Sequence, residues 1–141
     1  MKKTTIFLLC ALTAAIYGCS KQYNNTQVPV PTGTFTGKFT RLHQKTAGHG
    51  FDTTTANITL YTSNARLFKV SGDTSTLHAG SHGRFALNTV YIQFADSTST
   101  AAPQAKIHLN GLYQYYYDGA IFQIAARNDT LSYIYDLKKI N

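Results

Sequence analysis

From Gly33 onward apolar and polar positions alternate with period two, and no stretch repeats at the helical interval. The clearest run is "YYYDGAIFQ", residues 115–123. Asp-Gly is a preferred central pair for a two-residue type I′ hairpin. With Asp118-Gly119 as that turn, Tyr117 faces Ala120, Tyr115 faces Phe122 and Tyr113 faces Ile124. All six side chains then share one face. Asn128-Asp129 as the next turn sets Ala126 against Leu131, Ile124 against Tyr133, Phe122 against Tyr135 and Ala120 against Leu137. The same face is apolar again. Two separate turn readings agree on one buried surface, which a one-residue slip would turn to solvent.

The pattern extends upstream. Asn88-Thr89 as a turn pairs Leu87 with Val90 and Phe85 with Ile92; Gly72-Asp73 pairs Phe68 with Leu77. A three-residue loop at Ser63-Asn64-Ala65 sets Leu60 against Phe68 and Ile58 against Val70, where a two-residue loop would set Ile58 against Lys69. Phe35 and Phe39 share a side of the first strand, and Gly80, Gly83 and Gly111 read as bends or bulges. The strands fall near 34–43, 54–61, 66–71, 75–87, 90–95, 106–117, 120–126 and 130–138. Eight antiparallel strands in sequence order predict an all-β meander closing into a small up-and-down barrel, because closure removes exposed edges. An open or split sheet is the alternative.

The N-terminus follows a different rule. Lys2-Lys3 precede an uncharged, mostly apolar run of 14 residues, Thr4–Tyr17. A membrane-spanning helix needs about 20, so this run has the length of a signal-peptide core behind a basic head. It ends in Ile16-Tyr17-Gly18-Cys19, which resembles the lipobox of bacterial lipoproteins, with Tyr17 bulkier than usual. The only other cysteine, Cys10, lies within the signal core, so a processed chain offers Cys19 no disulfide partner. The reading is a signal peptide over 1–18, a lipidated N-terminus and flexible tether over 19–32, and one all-β domain over 33–141. The resemblance implies a diacylglyceryl group on Cys19, usually joined by an amide-linked acyl chain. One chain alone holds a membrane only marginally. The tether "SKQYNNTQVPVPT", 13 residues, reaches at most about 43–47 Å.

Processing at Cys19 would leave 123 residues, the size of one domain. Loss of Lys2 and Lys3 takes 13 basic residues to 11 against 6 acidic ones, a formal charge of +5. A positive surplus often marks nucleic-acid binders, but an exported location argues against that partner. Anionic headgroups or acidic glycans are the more natural counter-surfaces, and solubility alone is a simpler account of the charge than either.

"GTFTGKFTRLH", "LNGLYQYYYDG" and the ending "YIYDLKK" resemble small lipoproteins of Bacteroidota-type bacteria, loosely described as lipocalin-like. The likeness covers most of 33–139 and its motifs are structural. It implies a lipocalin-like barrel and no known catalytic residues. True lipocalins are longer and add a helix, which this chain lacks.

Candidate chemistry is sparse. His78 and His82 on one strand stand about 13 Å apart, whereas zinc needs each ligand within about 2.1 Å. His43, His49 and Asp52 surround the long loop "HQKTAGHGFD" and could converge. No metal or other cofactor is expected. Asp73, Asp118 and Asp129 are accounted for by turns and Asp96 by a strand end, leaving Asp52 and Asp136. No Gly-x-Ser-x-Gly is present, and no enzymatic activity is expected. Tyr113, Tyr115, Phe122, Tyr133 and Tyr135 form the candidate ligand surface, since tyrosine pairs an apolar body with a polar tip; alternatively they fill the barrel. The expectation is an envelope lipoprotein, held by Cys19 in the outer membrane and facing the periplasm. It would act as a non-enzymatic binding module for a small apolar or glycan ligand. The alternative is a protein-interaction or structural subunit with a solid barrel.

Overall fold

The computed structural model describes residues 28–46, 49–98 and 106–140. Cys19, the signal region and most of the tether lie outside the described residues. Eight strands follow in sequence order: β1 (Gly33–Gln44), β2 (Phe51–Thr62), β3 (Leu67–Gly72), β4 (Ser81–Leu87), β5 (Tyr91–Asp96), β6 (Gly111–Tyr117), β7 (Ile121–Arg127) and β8 (Leu131–Lys139). Each pairs antiparallel with the next, and β8 returns to β1 from Phe35↔Lys139 to His43↔Leu131. The result is the closed barrel expected from the alternation. Closure gives every strand two hydrogen-bonded neighbours, so no edge is left to recruit another chain.

The hairpin registers differ from expectation in one systematic way. Tyr115 pairs with Ile124 rather than Phe122, and Ile124 with Tyr135 rather than Tyr133. Phe85 pairs with Phe94 rather than Ile92, and Leu60 with Val70 rather than Phe68. Every shift is two residues. The cause is where the Asx residue sits. Asp118 Oδ1 accepts from the N–H groups of Ala120 (2.9 Å) and Ile121 (2.7 Å). Asn88 Oδ1 does the same for Val90 (2.8 Å) and Tyr91 (2.7 Å), and Asn128 Oδ1 for Thr130 (3.1 Å) and Leu131 (2.7 Å). A side chain that bonds backbone two and three residues ahead must stand before the turn's central pair, not within it. Each turn therefore lies one residue later and each register moves by two. Gly119, at φ 101°, then takes the first central position. The β2–β3 loop keeps three residues but spans Asn64 to Arg66, with the Ser63 N–H bonded to the Leu67 carbonyl and Arg66 left-handed at φ 61°.

A shift of two preserves every face. Phe35, Phe39, Ile58, Leu60, Phe68, Val70, Phe85, Ile92, Phe94, Tyr113, Phe122, Ile124, Tyr135 and Leu137 are all buried in one interior cluster. Rings run through it continuously: Phe68–Phe94 at 5.1 Å, Phe94–Tyr113 at 5.9 Å, Tyr113–Tyr135 at 5.9 Å and Phe39–Tyr135 at 4.8 Å. An eight-stranded barrel is just wide enough for its own side chains to fill, and these rings fill it.

Two strand starts are corrected. Phe68 pairs with Gly83 rather than Leu77, and the fourth strand begins at Ser81, not near 75. The sixth begins at Gly111, not near 106. The segments left out of the sheet pair with each other instead. His78 and Ile107 form a parallel bridge, with the Ala79 N–H on the Ile107 carbonyl (2.8 Å) and the Ile107 N–H on the Leu77 carbonyl (3.0 Å). Leu77, Ile107 and Leu109 press inward, so this pairing plugs one end of the barrel. Gly83 is a point of close approach, as expected: a Cβ there would collide with the Ala95 carbonyl oxygen.

The barrel's two ends differ. At one end lie the connections 63–66, 88–90 and 118–120, together with the start of β1 and the finish of β8. At the other lie, among the described residues, 45–46, 49–50, 73–80, 97–98, 106–110 and 128–130.

Candidate functional site

The five residues of the expected ligand surface all sit on the inward face, at different depths. Tyr113, Phe122 and Tyr135 are 3%, 0% and 0% exposed. Tyr115 and Tyr133 are half-buried and lie towards opposite ends. The Tyr115 hydroxyl donates to the Asn88 carbonyl (2.7 Å) at the end with short connections. Tyr133 reaches the other end, where it lines an open cleft.

The histidines do not converge. His78 is fully buried, His82 is exposed on β4, and His43 stands opposite Asp52 in the β1–β2 register with both exposed. Asp52 pairs with Lys45 at 3.7 Å. Among the described residues no three His, Cys, Asp or Glu side chains form a cluster suited to a metal. His78 packs on Phe39 and Tyr135, with Nδ1 2.7 Å from the Ala79 carbonyl and Nε2 3.0 Å from the Tyr135 hydroxyl. A carbonyl only accepts, so Nδ1 carries the proton and a neutral ring accepts the Tyr135 O–H at Nε2. Burial holds the His78 pKa below 6.5, against the opposing pull of the Ala79 carbonyl. Burial likewise pushes the Tyr135 phenol well above its ordinary value.

At the end with the long connections, Arg41, Asp96, Lys106, His108, Asn110 and Tyr133 line a cleft of about 430 Å³. Its parts come from four places in the chain. Arg41 continues the inward row of Phe35 and Phe39, and stands opposite Tyr133 across β1–β8. Asp96 ends the inward row of Ile92 and Phe94 on β5. Lys106, His108 and Asn110 lie on the segment whose bridge to His78 plugs the barrel, and the Lys106 amine donates to the Thr74 carbonyl (2.9 Å). A hollow of about 220 Å³, sharing His108, Asn110 and Tyr133, extends the cleft towards Arg127.

The cleft's polar groups are held in place. His108 Nδ1 lies 2.7 Å from Asp96 Oδ2, and both side chains are largely buried. Asp96 Oδ1 accepts from the Thr98 hydroxyl (2.6 Å) and N–H (3.0 Å). Burial pushes the Asp96 pKa up, but the Thr98 and His108 hydrogen bonds outweigh it and the net shift is downward. Asp96 is therefore ionised at neutral pH. The Asp96 N–H donates to Asn110 Oδ1 (3.2 Å), which leaves the Asn110 amide N–H groups for other acceptors. A pocket of this size with a few fixed polar groups suits a small ligand.

A second hollow, about 500 Å³, lies on the outer face over Tyr61, Leu67, Lys69, His82 and Arg84. Its walls are more apolar, and Tyr61 and Leu67 are both exposed.

Of the cleft residues, only Tyr133 stood among the expected site residues. A signal for Arg41 and Asp96 was present: each places a charge on the apolar parity of its strand, at the strand's end. Lys106 and His108 carry no such signal, because the alternation over 106–117 predicts a strand there. Comparison with protein-family models, curated proteins and solved structures found no match to this chain.

Proposed function

We infer that this chain is an envelope lipoprotein of the type its N-terminus and barrel resemble, tethered through Cys19, and that it acts as a non-enzymatic binding module. Its ligand is a small polar, glycan-type molecule held in the cleft at the barrel's end rather than inside the barrel. The observation that carries this reading is the cleft itself. It combines convergent donors on Arg41, Lys106 and Asn110 with the ring of Tyr133, the pairing of hydrogen bonds and aromatic surface that sugars engage. The aromatic filling leaves an interior apolar ligand without room. The tether joins at Gly33, where β1 begins, and the cleft lies at the opposite end. With the anchor attached at the opposite end, the cleft is not blocked by its own tether.

A second reading rests on the outer hollow. A filled barrel with Tyr61 and Leu67 exposed on its flank fits a protein-interaction or structural subunit.

The anchor is tested with the full chain, residues 1–141, expressed in a bacterium with an outer membrane, and ligand binding with the Cys19→Ser chain of residues 19–141. Wild type should partition with membranes and take up radiolabelled palmitate, and Cys19→Ser should lose both; unchanged labelling would remove the anchor. The soluble Cys19→Ser chain is then applied to a glycan array. Binding that survives Leu67→Ser and is lost in Tyr133→Ala supports the cleft. Array silence, with an envelope protein cross-linked through position 67, supports the second reading.

A further inference from the structure

Resting on the cleft reading, we propose that the ligand carries an acid group, a carboxylate or a phosphate, and that Arg41 is its anchor. The argument begins with charge. Arg41 and Lys106 line the cleft and Arg127 lines its extension; the one carboxylate among them is Asp96. Asp96 is already committed, one oxygen to His108 and the other to Thr98. The ion pairs among the described residues are Lys45–Asp52 and His108–Asp96, and neither includes a cleft arginine or lysine. Two cations of the cleft and one of its extension therefore outnumber a single carboxylate whose two oxygens are already engaged.

Arg41 adds a second, independent observation. Its Nε is buried and has no hydrogen-bond partner among the described residues. Buried polar groups are nearly always paired, and a buried charged donor without an acceptor carries a large desolvation cost. The barrel supplies Arg41 with Tyr133 opposite but no carboxylate. An acid group seated against the part of this guanidinium that faces the cleft provides an acceptor where the barrel supplies none. Its two oxygens match the planar fork, as a neutral hydroxyl does not. Lys106, steadied by the Thr74 carbonyl, supplies a point charge at the same wall. Tyr133 supplies the surface against which the body of a ligand lies. His108 donates Nδ1–H to Asp96 and so keeps that carboxylate turned away from the incoming anion. His108 is thus a positioning residue.

The test is an NMR titration of the ¹⁵N-labelled mature Cys19→Ser chain at fixed ionic strength, following the Arg41 Nε–H and cleft amide signals. The probes are D-glucuronate, D-glucose and inorganic phosphate. Glucuronate or phosphate should shift the cleft signals saturably, at least about tenfold tighter than glucose, the scale of one charge-assisted hydrogen bond. Saturation by glucuronate alone identifies a sugar acid, and by phosphate alone a phosphoryl group; either supports the proposal. Arg41→Gln should abolish the preference for acid. Arg41 is half-buried, so Lys106→Gln serves as a second variant, expected to weaken acid binding several-fold while leaving glucose unchanged. Equal binding of glucuronate and glucose would overturn the acid proposal and leave the cleft reading standing. No saturable shift with any probe would overturn both.

Discussion

The barrel's two ends are built by different means. At the end where β1 begins every connection spans three or four residues: 63–66, 88–90 and 118–120. Asn88 and Asp118 cap two of those turns with their own side chains, and Arg66 closes the third in the left-handed region. Phe35, Tyr117 and Phe122 pack rings beneath them, with Phe35–Phe122 centroids 5.2 Å apart. At the cleft end three of four connections are long, and the plug, Arg41, Asp96 and Tyr133 come from distant parts of the chain. Local turn chemistry seals one end. Long-range assembly of charged groups leaves the other open, with Arg41, Lys106 and Tyr133 lining a cleft.

The sealed end should break most severely through its core. Phe122 is fully buried against Phe35, Tyr115 and Tyr117. Phe122→Ala removes a large ring and leaves a void, which costs about 3–5 kcal/mol. Tyr116, on the other face of the neighbouring strand, is 55% exposed, and Tyr116→Ala should stay within about 0.5 kcal/mol. Denaturant melts compare the two. A larger loss for Tyr116→Ala would invert the faces and end the account of a filled interior.

The cleft end should respond to mild acid through His78, whereas at the sealed end the shifted group is Asp118, held below its ordinary 3.8 by the Ile121 and Ala120 N–H groups and so felt only in stronger acid. His78 holds the plug from within, neutral and fully buried. Its folded pKa lies below the 6.5 of the unfolded chain, so the unfolded state binds the extra proton. Stability from this group is complete above pH 6.5 and declines as pH falls below it, by at most about 1.4 kcal/mol per pH unit. His78→Gln should lower stability at pH 8, because the Tyr135 hydroxyl loses its imidazole partner, and should flatten the slope between pH 6.5 and 5. Melts across pH measure both. An unchanged slope would mean that other groups set the acid sensitivity.

How much of this was legible in the sequence follows the same division. The faces were legible because side-chain period is two: Phe35, Phe39, Phe85, Tyr113, Phe122 and Tyr135 all point where the alternation placed them. Registers were not, because Asp118-Gly119, Asn88-Thr89 and Asn128-Asp129 predict central turn pairs, whereas the Asp118, Asn88 and Asn128 side chains act from the position before. The cleft was least legible. Arg41 and Asp96 sit 55 positions apart, and Lys106 and His108 join them only because residues 106–110 leave the sheet to pair with the His78 loop. Alternation cannot report that departure, since Ile107 and Leu109 keep the parity of a strand.

The smallest effect sharpens the comparison most, because it asks whether turn chemistry differs between the ends or only connection length does. Asn128 caps a turn at the cleft end and Asn88 one at the sealed end, each with two bonds to the backbone ahead. Asn128→Ala and Asn88→Ala each free two exposed N–H groups that water can satisfy, so each should cost about 1 kcal/mol. The register should hold in both, because any one-residue slip would turn Ile124 and Tyr135, or Phe85 and Phe94, to solvent. Cross-strand NOEs between Ile124 and Tyr135, and between Phe85 and Phe94, should therefore persist while the melting temperature falls slightly. Equal losses mean the ends share one turn chemistry and differ in what the longer connections carry. A lost Ile124–Tyr135 contact in Asn128→Ala would show instead that the cap, not the buried face, sets the register at the cleft end.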